Sequence, residues 1–540
     1  MSLSRRRFIE LAASLPGLAG LACTESEQSD GWDRGRLAHL IPTASHQSLN
    51  IKASFLEPPG IEPALQVGRH LIKGQRQDTI GRFWAFRVSG LEPETEYSLR
   101  LVANDTGAFL CDEWPLRTLP SPDSSPERLR VAAYTCAGGP NLPTPPSLFH
   151  AFKPADYRRR LFDMILERKP DLVVAIGDHV YFDLPQMGKL QSHPLAVLFS
   201  PFIQGVLASF DPEAPVLGSS NEGALTTVGD DQIASIYGVR FRSTPMFFIT
   251  DDHDYFANDD ATPERVTFPP DPFHTSLRNS LQRLYFPEFI ADDDLPDSLP
   301  GHETSGGVLL STHFGRIRYG DLFSGLLYDC GGYLSLGIDA GLVPASVESW
   351  LLDETQREDT QHLVHFPSHP MGWTAGKWRE WYRDLLESRG SVVEAIRVDA
   401  SGEKFEWQIG WWEQHQRLLS GLSAQQRRKA IVVSGDLHAL GATWIIESGG
   451  LPLEANPILS VLSGPVGVGD LGWPSRARGV EARTPAALSV ESLLDLEERN
   501  GFTFLDFDRT TTRIETFACG PEYAAPEAIQ LERALELEIA

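Results

Sequence analysis

The chain has 540 residues, of which 41% are hydrophobic and 22% charged, values typical of a soluble globular protein long enough for more than one domain. Its formal net charge of -26 argues against nucleic acid and anionic membrane surfaces as partners, because both attract basic surfaces. The five cysteines are too few and too scattered for a disulfide framework.

The first 23 residues have the pattern of a twin-arginine export signal. Three arginines at positions 5–7 precede an apolar run of small residues at 11–22. We therefore expect a signal peptide at 1–23 that engages the Tat export machinery, and a periplasmic or extracellular mature protein. Cys23 is a candidate lipid-anchor site, although Gly20 is unfavourable three positions before such a cysteine. Beyond the signal no run of 18 apolar residues exists, so we expect no transmembrane helix.

Short alternating runs predict a small β-sandwich at residues 35–119, after a polar linker at 24–34. One turn within it, Gly90-Leu-Glu-Pro-Glu-Thr-Glu-Tyr97, resembles a string found in fibronectin type III domains. Prolines and serines at 120–127 predict a second linker, which places the start of a larger domain at residue 128.

In the larger domain, four apolar runs each end in side chains that can bind metal ions. The runs lie at 130–135, 172–176, 245–250 and 429–434, and the side chains that follow them are Cys136, Asp178 with Tyr181, Asp252 with His253, and Asp436 with His438. A short apolar run bounded by turn residues indicates a buried strand, and the carboxyl ends of parallel strands meet at one edge of an α/β sheet. We therefore expect these side chains to converge.

The donor types indicate which ions would fit. Thiolate, phenolate and imidazole groups suit iron or another transition metal, whereas carboxylates suit calcium or magnesium. The segment from Asp251 to Asp260 contains five aspartates, and carboxylates this close repel one another unless a cation lies among them. Two neighbouring cations can stabilise the attacking and leaving oxygens of a phosphoryl displacement.

The remaining pattern predicts the elements around these strands. An amphipathic helix is expected at 156–169, an insertion at 184–225, a strand at 361–366, a tryptophan-rich segment at 373–412, a helix at 413–422, strands at 442–446, 458–462 and 502–516, and an acidic surface helix from residue 530 in a tail at 520–540.

Three motifs carry a resemblance to a known family. Gly177-Asp-His-Val-Tyr181, Asp251-Asp-His-Asp254 and Gly435-Asp-Leu-His438 resemble, in order and spacing, the PhoD-like alkaline phosphatases and phosphodiesterases of the calcineurin-like metallophosphatase group, over about residues 35–517. The resemblance implies an α/β fold with a four-layer αββα metallophosphatase sandwich at 128–519, preceded by a fibronectin type III-like β-sandwich. It also implies an exported enzyme that hydrolyses small phosphate mono- or diesters by attack of a metal-bound hydroxide.

The same resemblance implies a ferric ion, Fe³⁺, together with Ca²⁺. The motif match assigns Fe³⁺ to Cys136, Tyr181 and His438, a bridging role to Asp178, the second metal to Asp252 and Asp436, and the catalytic role to His253.

The chain departs from the family pattern at several positions. Many members have Asp-x-Arg where this chain has Asp329-Cys-Gly331, which leaves a phosphate-binding arginine unassigned, and Thr250 stands where many have tryptophan. Asn258 and His369 could be extra ligands, with a structural loop role favoured for His369.

Two alternatives stay open on the sequence alone. One is a related metallo-hydrolase acting on a phospholipid or phosphotriester. The other is a non-catalytic, calcium-stabilised exported binding protein. The intact Asp252-His253 pair favours an enzyme, because a purely structural calcium site needs no histidine there.

Overall fold

A computed structural model describes residues 31–141, 151–181, 210–255, 269–292, 294–335, 341–373, 409–477, 482–485, 488–521 and 525–540. The predicted signal peptide at 1–23, Cys23, Asn258, and most of the predicted insertion and tryptophan-rich segment lie outside these ranges. No helix within the ranges is both long and apolar enough to cross a membrane.

The first region is a β-structure of two four-stranded antiparallel sheets. Its strands are β1 (Leu37–Ala44), β2 (Leu49–Phe55), β3 (Pro63–Val67), β4 (His70–Lys73), β5 (Gln75–Arg76), β6 (Phe83–Val88), β7 (Glu96–Ala103) and β8 (Trp114–Arg117). They pair in the orders β1-β2-β6-β5 and β4-β3-β7-β8. Ile51 and Leu101, one from each sheet, are fully buried in the same core, so the two sheets pack face to face.

The larger region mixes helices and strands. Its elements are β9 (Arg128–Thr135), α1 (Ala155–Leu166), β10 (Leu172–Ile176), α2 (Ser220–Gly229), β11 (Met246–Ile249), α3 (Pro272–Tyr285), β12 (Phe289–Ile290), β13 (His302–Ser305), β14 (Val308–Ser311), β15 (Phe314–Tyr319), β16 (Phe323–Tyr328), α4 (Ala345–Gln356), β17 (His362–Pro367), α5 (Ile409–Ser423), β18 (Ala430–Ser434), β19 (Leu440–Ser448), β20 (Leu451–Pro452), β21 (Ile458–Ser463), α6 (Pro474–Ala477), β22 (Leu488–Glu497), β23 (Gly501–Asp508), β24 (Thr512–Gly520) and β25 (Gln530–Ile539).

Two large sheets organise this region. The first has the order β11-β10-β9-β23-β24-β25, and the second has the order β15-β16-β17-β18-β21-β19-β20 with β22 also paired to β19. Strands β9, β10 and β11 run parallel, as do β16, β17, β18 and β21. Crossovers between parallel strands place helices on the sheet faces, which is why these strands are almost entirely buried.

Alternate residues of each strand point to different cores. Val131 and Val174 from the first sheet share one core with Val433 from the second. The opposite face of the first sheet packs against α1 through residues such as Phe162, and the opposite face of the second packs against α4 and α5. The chain therefore has a mixed α/β fold in which two sheets face each other.

The C-terminal segment differs from its prediction. The acidic surface helix expected from residue 530 is instead strand β25, which pairs antiparallel with β24. Leucine, glutamate and alanine favour helices, and this propensity led to the wrong prediction. Leu535 and Ile539 are buried while Glu536 and Glu538 are exposed, which is the alternation of a half-buried edge strand. The segment extends the first sheet and is not a separate tail.

Candidate metal centre

The predicted donor residues follow strand ends that lie at one sheet edge. Ile176 is the register partner of both Thr135 and Ile249, so β9, β10 and β11 end at the same level. The second sheet reaches this edge through β18, and a Cβ atom added to Gly435 would lie 2.4 Å from Thr135 Oγ1. Only glycine fits there, and this close approach brings the residues after β18 against those after β9 and β10.

The first donor group contains Cys136, Asp178 and His438, with Tyr181 beside them. Asp178 Oδ2 lies 3.2 Å from Cys136 Sγ and 2.9 Å from the Tyr181 hydroxyl, which in turn lies 3.0 Å from His438 Nε2. His438 Nδ1 lies 2.7 Å from the Gly472 carbonyl oxygen, which orients Nε2 toward the group. Donor atoms about 3 Å apart match the spacing around an ion with bonds of about 2.1 Å.

Two further donor groups adjoin the first. Asp178 forms one with Asp252 and His253, and Asp251 forms another with His369 and Asp436; within each group the donor atoms lie no more than 4.8 Å apart. Asp178 thus belongs to two groups, as expected of a bridging carboxylate. Asp252 and Asp436, which the motif match assigned to one metal, fall in different groups.

Asp251 and His369 belong to a donor group although the sequence analysis assigned Asp251 no individual role and favoured a structural loop role for His369 over that of an extra ligand. His369 follows β17 and its Nδ1 lies 3.5 Å from Asp251 Oδ1, so it lies in the centre and not in a remote loop. The signal was present, since 361–366 was predicted as a strand and His369 comes shortly after it, as at the other four strand ends.

The burial and charge of this centre favour bound cations. Asp178 and Asp251 are 0% exposed, and Asp252 and Asp436 are 2% exposed. Burial, followed by the charges of the other three aspartates, raises the pKa of Asp251 well above its ordinary value. Burial and the charge of Asp178 likewise raise the pKa of the Cys136 thiol. Bound cations would reverse these shifts, because an opposite charge favours the ionised form, so this donor set fits metal ions.

The backbone is strained at the same place. Within the described ranges, six non-glycine residues have positive φ, and four of them are donor residues: Cys136 at 51°, Asp178 at 57°, Asp436 at 69° and His438 at 49°. Such conformations cost about 1–3 kcal/mol each and persist only where the surroundings impose them. Their concentration in the donor groups is typical of a functional site.

His253 packs directly on Tyr181. The ring centroids are 4.5 Å apart with an interplanar angle of 34°, and the His253 backbone N–H donates to Asp252 Oδ1 over 2.8 Å. The imidazole therefore belongs to the second donor group and lies beside the first. A proton carried by this ring would lie close to whatever the groups bind.

The departure from Asp-x-Arg has a structural explanation. A Cβ atom at Gly331 would lie 2.7 Å from both the Asp251 carbonyl carbon and the Asp252 nitrogen, so no side chain fits at this position. Asp329, which remains, accepts hydrogen bonds from Thr250 Oγ1 over 2.8 Å and from the Tyr255 hydroxyl over 2.5 Å. The turn after β16 thus supports the donor-bearing segment that follows β11.

Comparison with known proteins identifies the fold. No protein-family model and no curated protein sequence matches this chain. A solved structure of PhoD aligns with 93% of this chain and 89% of its own, with a TM-score of 0.57 and 12% sequence identity. A purple acid phosphatase from yellow lupin (Lupinus luteus) seeds covers 94% of this chain and 74% of its own, with a TM-score of 0.50 and 13% identity. The chain therefore has a PhoD-like metallophosphatase fold, as the order of its motifs predicted.

Proposed function

We propose that this protein is a metal-dependent phosphoesterase, an alkaline phosphatase D-like enzyme that hydrolyses small phosphate mono- or diesters. The observation that carries the proposal is the convergence of three buried donor groups, two of which share Asp178, at the carboxyl edge of a PhoD-like fold. Structural calcium sites need neither a thiol nor a histidine, and this centre has both.

The donor chemistry suggests which ion each group would hold. Cys136, Tyr181 and His438 offer the softer and phenolic donors that suit Fe³⁺, with Asp178 as the bridge. The carboxylates of Asp252 and Asp436 suit Ca²⁺, and Asp251 and His369 join Asp436 in its group. When bound, such ions acidify a water molecule for attack and neutralise the charge of the phosphate group.

The chain's own residues supply the remaining chemistry. Hydrolysis forms a bond between the phosphorus and a water oxygen and breaks the ester P–O bond, so the leaving oxygen needs a proton. His253 is held against Tyr181 and beside Asp252, and we assign it to donate that proton or a hydrogen bond to the transition state.

The domain architecture is part of the proposal. The two facing sheets with helices on their outer faces support a four-layer αββα catalytic sandwich, which begins near residue 128. The eight strands before it support a fibronectin type III-like domain at 35–119, with linkers at 24–34 and 120–127.

Export by the twin-arginine route is also proposed, from the pattern at residues 1–23, with a periplasmic or extracellular location and Cys23 as a candidate lipid anchor. Replacing Arg5 and Arg6 together with lysine should retain the protein in the cytoplasm in active form. Normal export of this double variant would contradict the assignment.

The direct test is an assay of the purified full-length protein with a phosphate monoester, a phosphate diester, a phosphotriester and a phospholipid. The proposal predicts hydrolysis of the monoester or the diester, and loss of that activity after treatment with a chelator. Metal binding without hydrolysis of any substrate would identify a binding protein. Hydrolysis of only the triester or the phospholipid would identify a related metallo-hydrolase.

A further inference from the structure

We propose that Asp254 and Gln232 are positioning residues that hold the loops after β9, β10 and β11 against one another, so that their metal-binding side chains meet. Neither residue belongs to the three donor groups described above. The inference rests on the proposed function for its link to catalysis. Its test measures metal binding and does not depend on hydrolysis.

Asp254 joins the loop after β10 to the turn after β11. Its Oδ1 accepts hydrogen bonds from the backbone N–H groups of His179 over 2.9 Å and Val180 over 3.0 Å. Its Oδ2 accepts from those of Asp178 over 2.9 Å and Asp251 over 3.0 Å. One buried carboxylate thus fixes the backbone of two donor residues and of the segment between Asp178 and Tyr181.

Gln232 joins the loop after β9 to the loop after β10. Its Oε1 accepts hydrogen bonds from the backbone N–H groups of Gly139 over 2.8 Å and Tyr181 over 2.9 Å, and its Nε2 donates to the Tyr181 carbonyl oxygen over 3.2 Å. The residue lies in a π-helical turn, Asp230–Ala234, a feature that is often found at functional sites.

The acceptor capacity of the side-chain oxygens of both residues is fully used by backbone N–H groups. A carboxylate has about four lone-pair sites, and Asp254 accepts four N–H groups; an amide oxygen has two, and that of Gln232 accepts two. These oxygens are therefore not available as metal ligands, and their effect on the centre is to fix its backbone.

The loops need such restraint for two reasons. Cys136 and Asp178 adopt positive φ angles that relax toward ordinary values if nothing imposes them. The aspartates of the centre also repel one another until a cation is bound. The hydrogen bonds of Asp254 and Gln232 to the loop backbone keep the donor residues together before a metal ion binds. Such preorganisation strengthens metal binding.

The test compares two variants with two matched controls. Asp254→Asn keeps the shape of the side chain but turns an NH₂ group toward two N–H donors, and Gln232→Met keeps the length but removes all three hydrogen bonds. Asp78→Asn is the control for the first, because Asp78 accepts two backbone N–H groups in the loop between β5 and β6, far along the chain from the donor groups. Gln414→Met is the control for the second, because Gln414 accepts from Leu342 and Val343 and donates to the Val343 carbonyl.

Each full-length protein is stripped with a chelator and titrated with Co²⁺, whose absorption reports thiolate and imidazole ligands. We expect Asp254→Asn and Gln232→Met to raise the dissociation constant about 10–100-fold, as for other residues that orient ligands, while both controls bind Co²⁺ as the wild type does. Melting temperatures of the metal-free proteins should fall in all four variants.

Equal Co²⁺ affinity in the two variants and their controls would overturn the inference. The result is independent of the proposed reaction: a wild-type protein that hydrolyses no ester would refute the proposed function, while the difference in Co²⁺ affinity would still test the positioning role. The two variants lie on different elements, so failure of one to fold leaves the other as the test.

Discussion

Replacing His253 with alanine is expected to lower kcat for phosphate-ester hydrolysis by at least about 100-fold. A positioned proton donor contributes about 10²–10⁴ to a rate, which corresponds to about 2.7–5.4 kcal/mol of transition-state stabilisation. The loss should be smaller for substrates with good leaving groups, because such groups need less protonation as the ester bond breaks.

The same change also lowers stability, but not by enough to unfold the protein. His253 is 4% exposed and its ring packs on Tyr181, and such aromatic pairs contribute about 0.5–1.5 kcal/mol beyond their burial. Since folded proteins are stable by about 5–15 kcal/mol, the variant should remain folded at assay temperature. Unfolding would therefore not account for the lost activity.

The assay compares kcat, metal content and melting temperature of His253→Ala with those of His365→Ala. His365 is also a buried histidine, but it lies within β17, where its Nε2 is 2.9 Å from Thr355 Oγ1. The control should lose stability and keep its kcat. Normal kcat in His253→Ala would refute the catalytic assignment, and loss of metal together with activity would show that His253 is a ligand.

Three further outcomes are expected. If Tyr181 is bound to Fe³⁺ as a phenolate, the purified protein should show a visible charge-transfer band that Tyr181→Phe abolishes; an unchanged band would exclude Tyr181 as the ligand. Lys52→Met should lower the free energy of unfolding in denaturant titrations, by at most about 3–5 kcal/mol, because it removes Lys52 Nζ, 2.7 Å from the buried carboxylate of Glu288, and leaves Arg87 at 3.5 Å as the ion-pair partner; the Lys52→Met, Glu288→Leu double variant should recover part of this loss. Burial lowers the pKa of His365 from 6.5 to about 3. Between these two pH values the unfolded chain binds one more proton at this position than the native protein does, so the free energy of unfolding falls as the pH falls. His365→Ala should reduce the slope of the free energy of unfolding against pH in this range by about 1.4 kcal/mol per pH unit, and an unchanged slope would show that His365 is not buried in its neutral form.

The convergence of the donor-bearing strand ends was predictable from the sequence because the signals are local. Each of the runs before Cys136, Asp178, Asp252 and Asp436 is a short apolar segment bounded by turn residues, and a buried parallel strand is recognisable from that pattern alone. The convergence of the strand ends then follows from the geometry of α/β sheets.

Features that depend on distant contacts were not predictable in this way. His369 follows a predicted strand, but its approach to Asp251 depends on the pairing of β17 with β16 and β18, which the sequence alone does not show. Gln232 carries no local signal at all, because its partners are 93 and 51 residues away. At the C-terminus, the helix propensity of leucine and glutamate led to a predicted helix, although the segment also has the alternating pattern of a strand. In the structure its pairing with β24 makes it a strand.

The central claim is that the three donor groups bind metal ions on which phosphate-ester hydrolysis depends. Its most direct test is elemental analysis of the purified full-length protein, with activity measured on the same samples as metal is removed by a chelator and restored. We predict iron and at least one further metal ion in each chain, with hydrolysis that falls and recovers in step with metal content, and no such activity in Asp178→Ala. Full hydrolytic activity in a protein that contains less than one metal ion per chain would contradict the account.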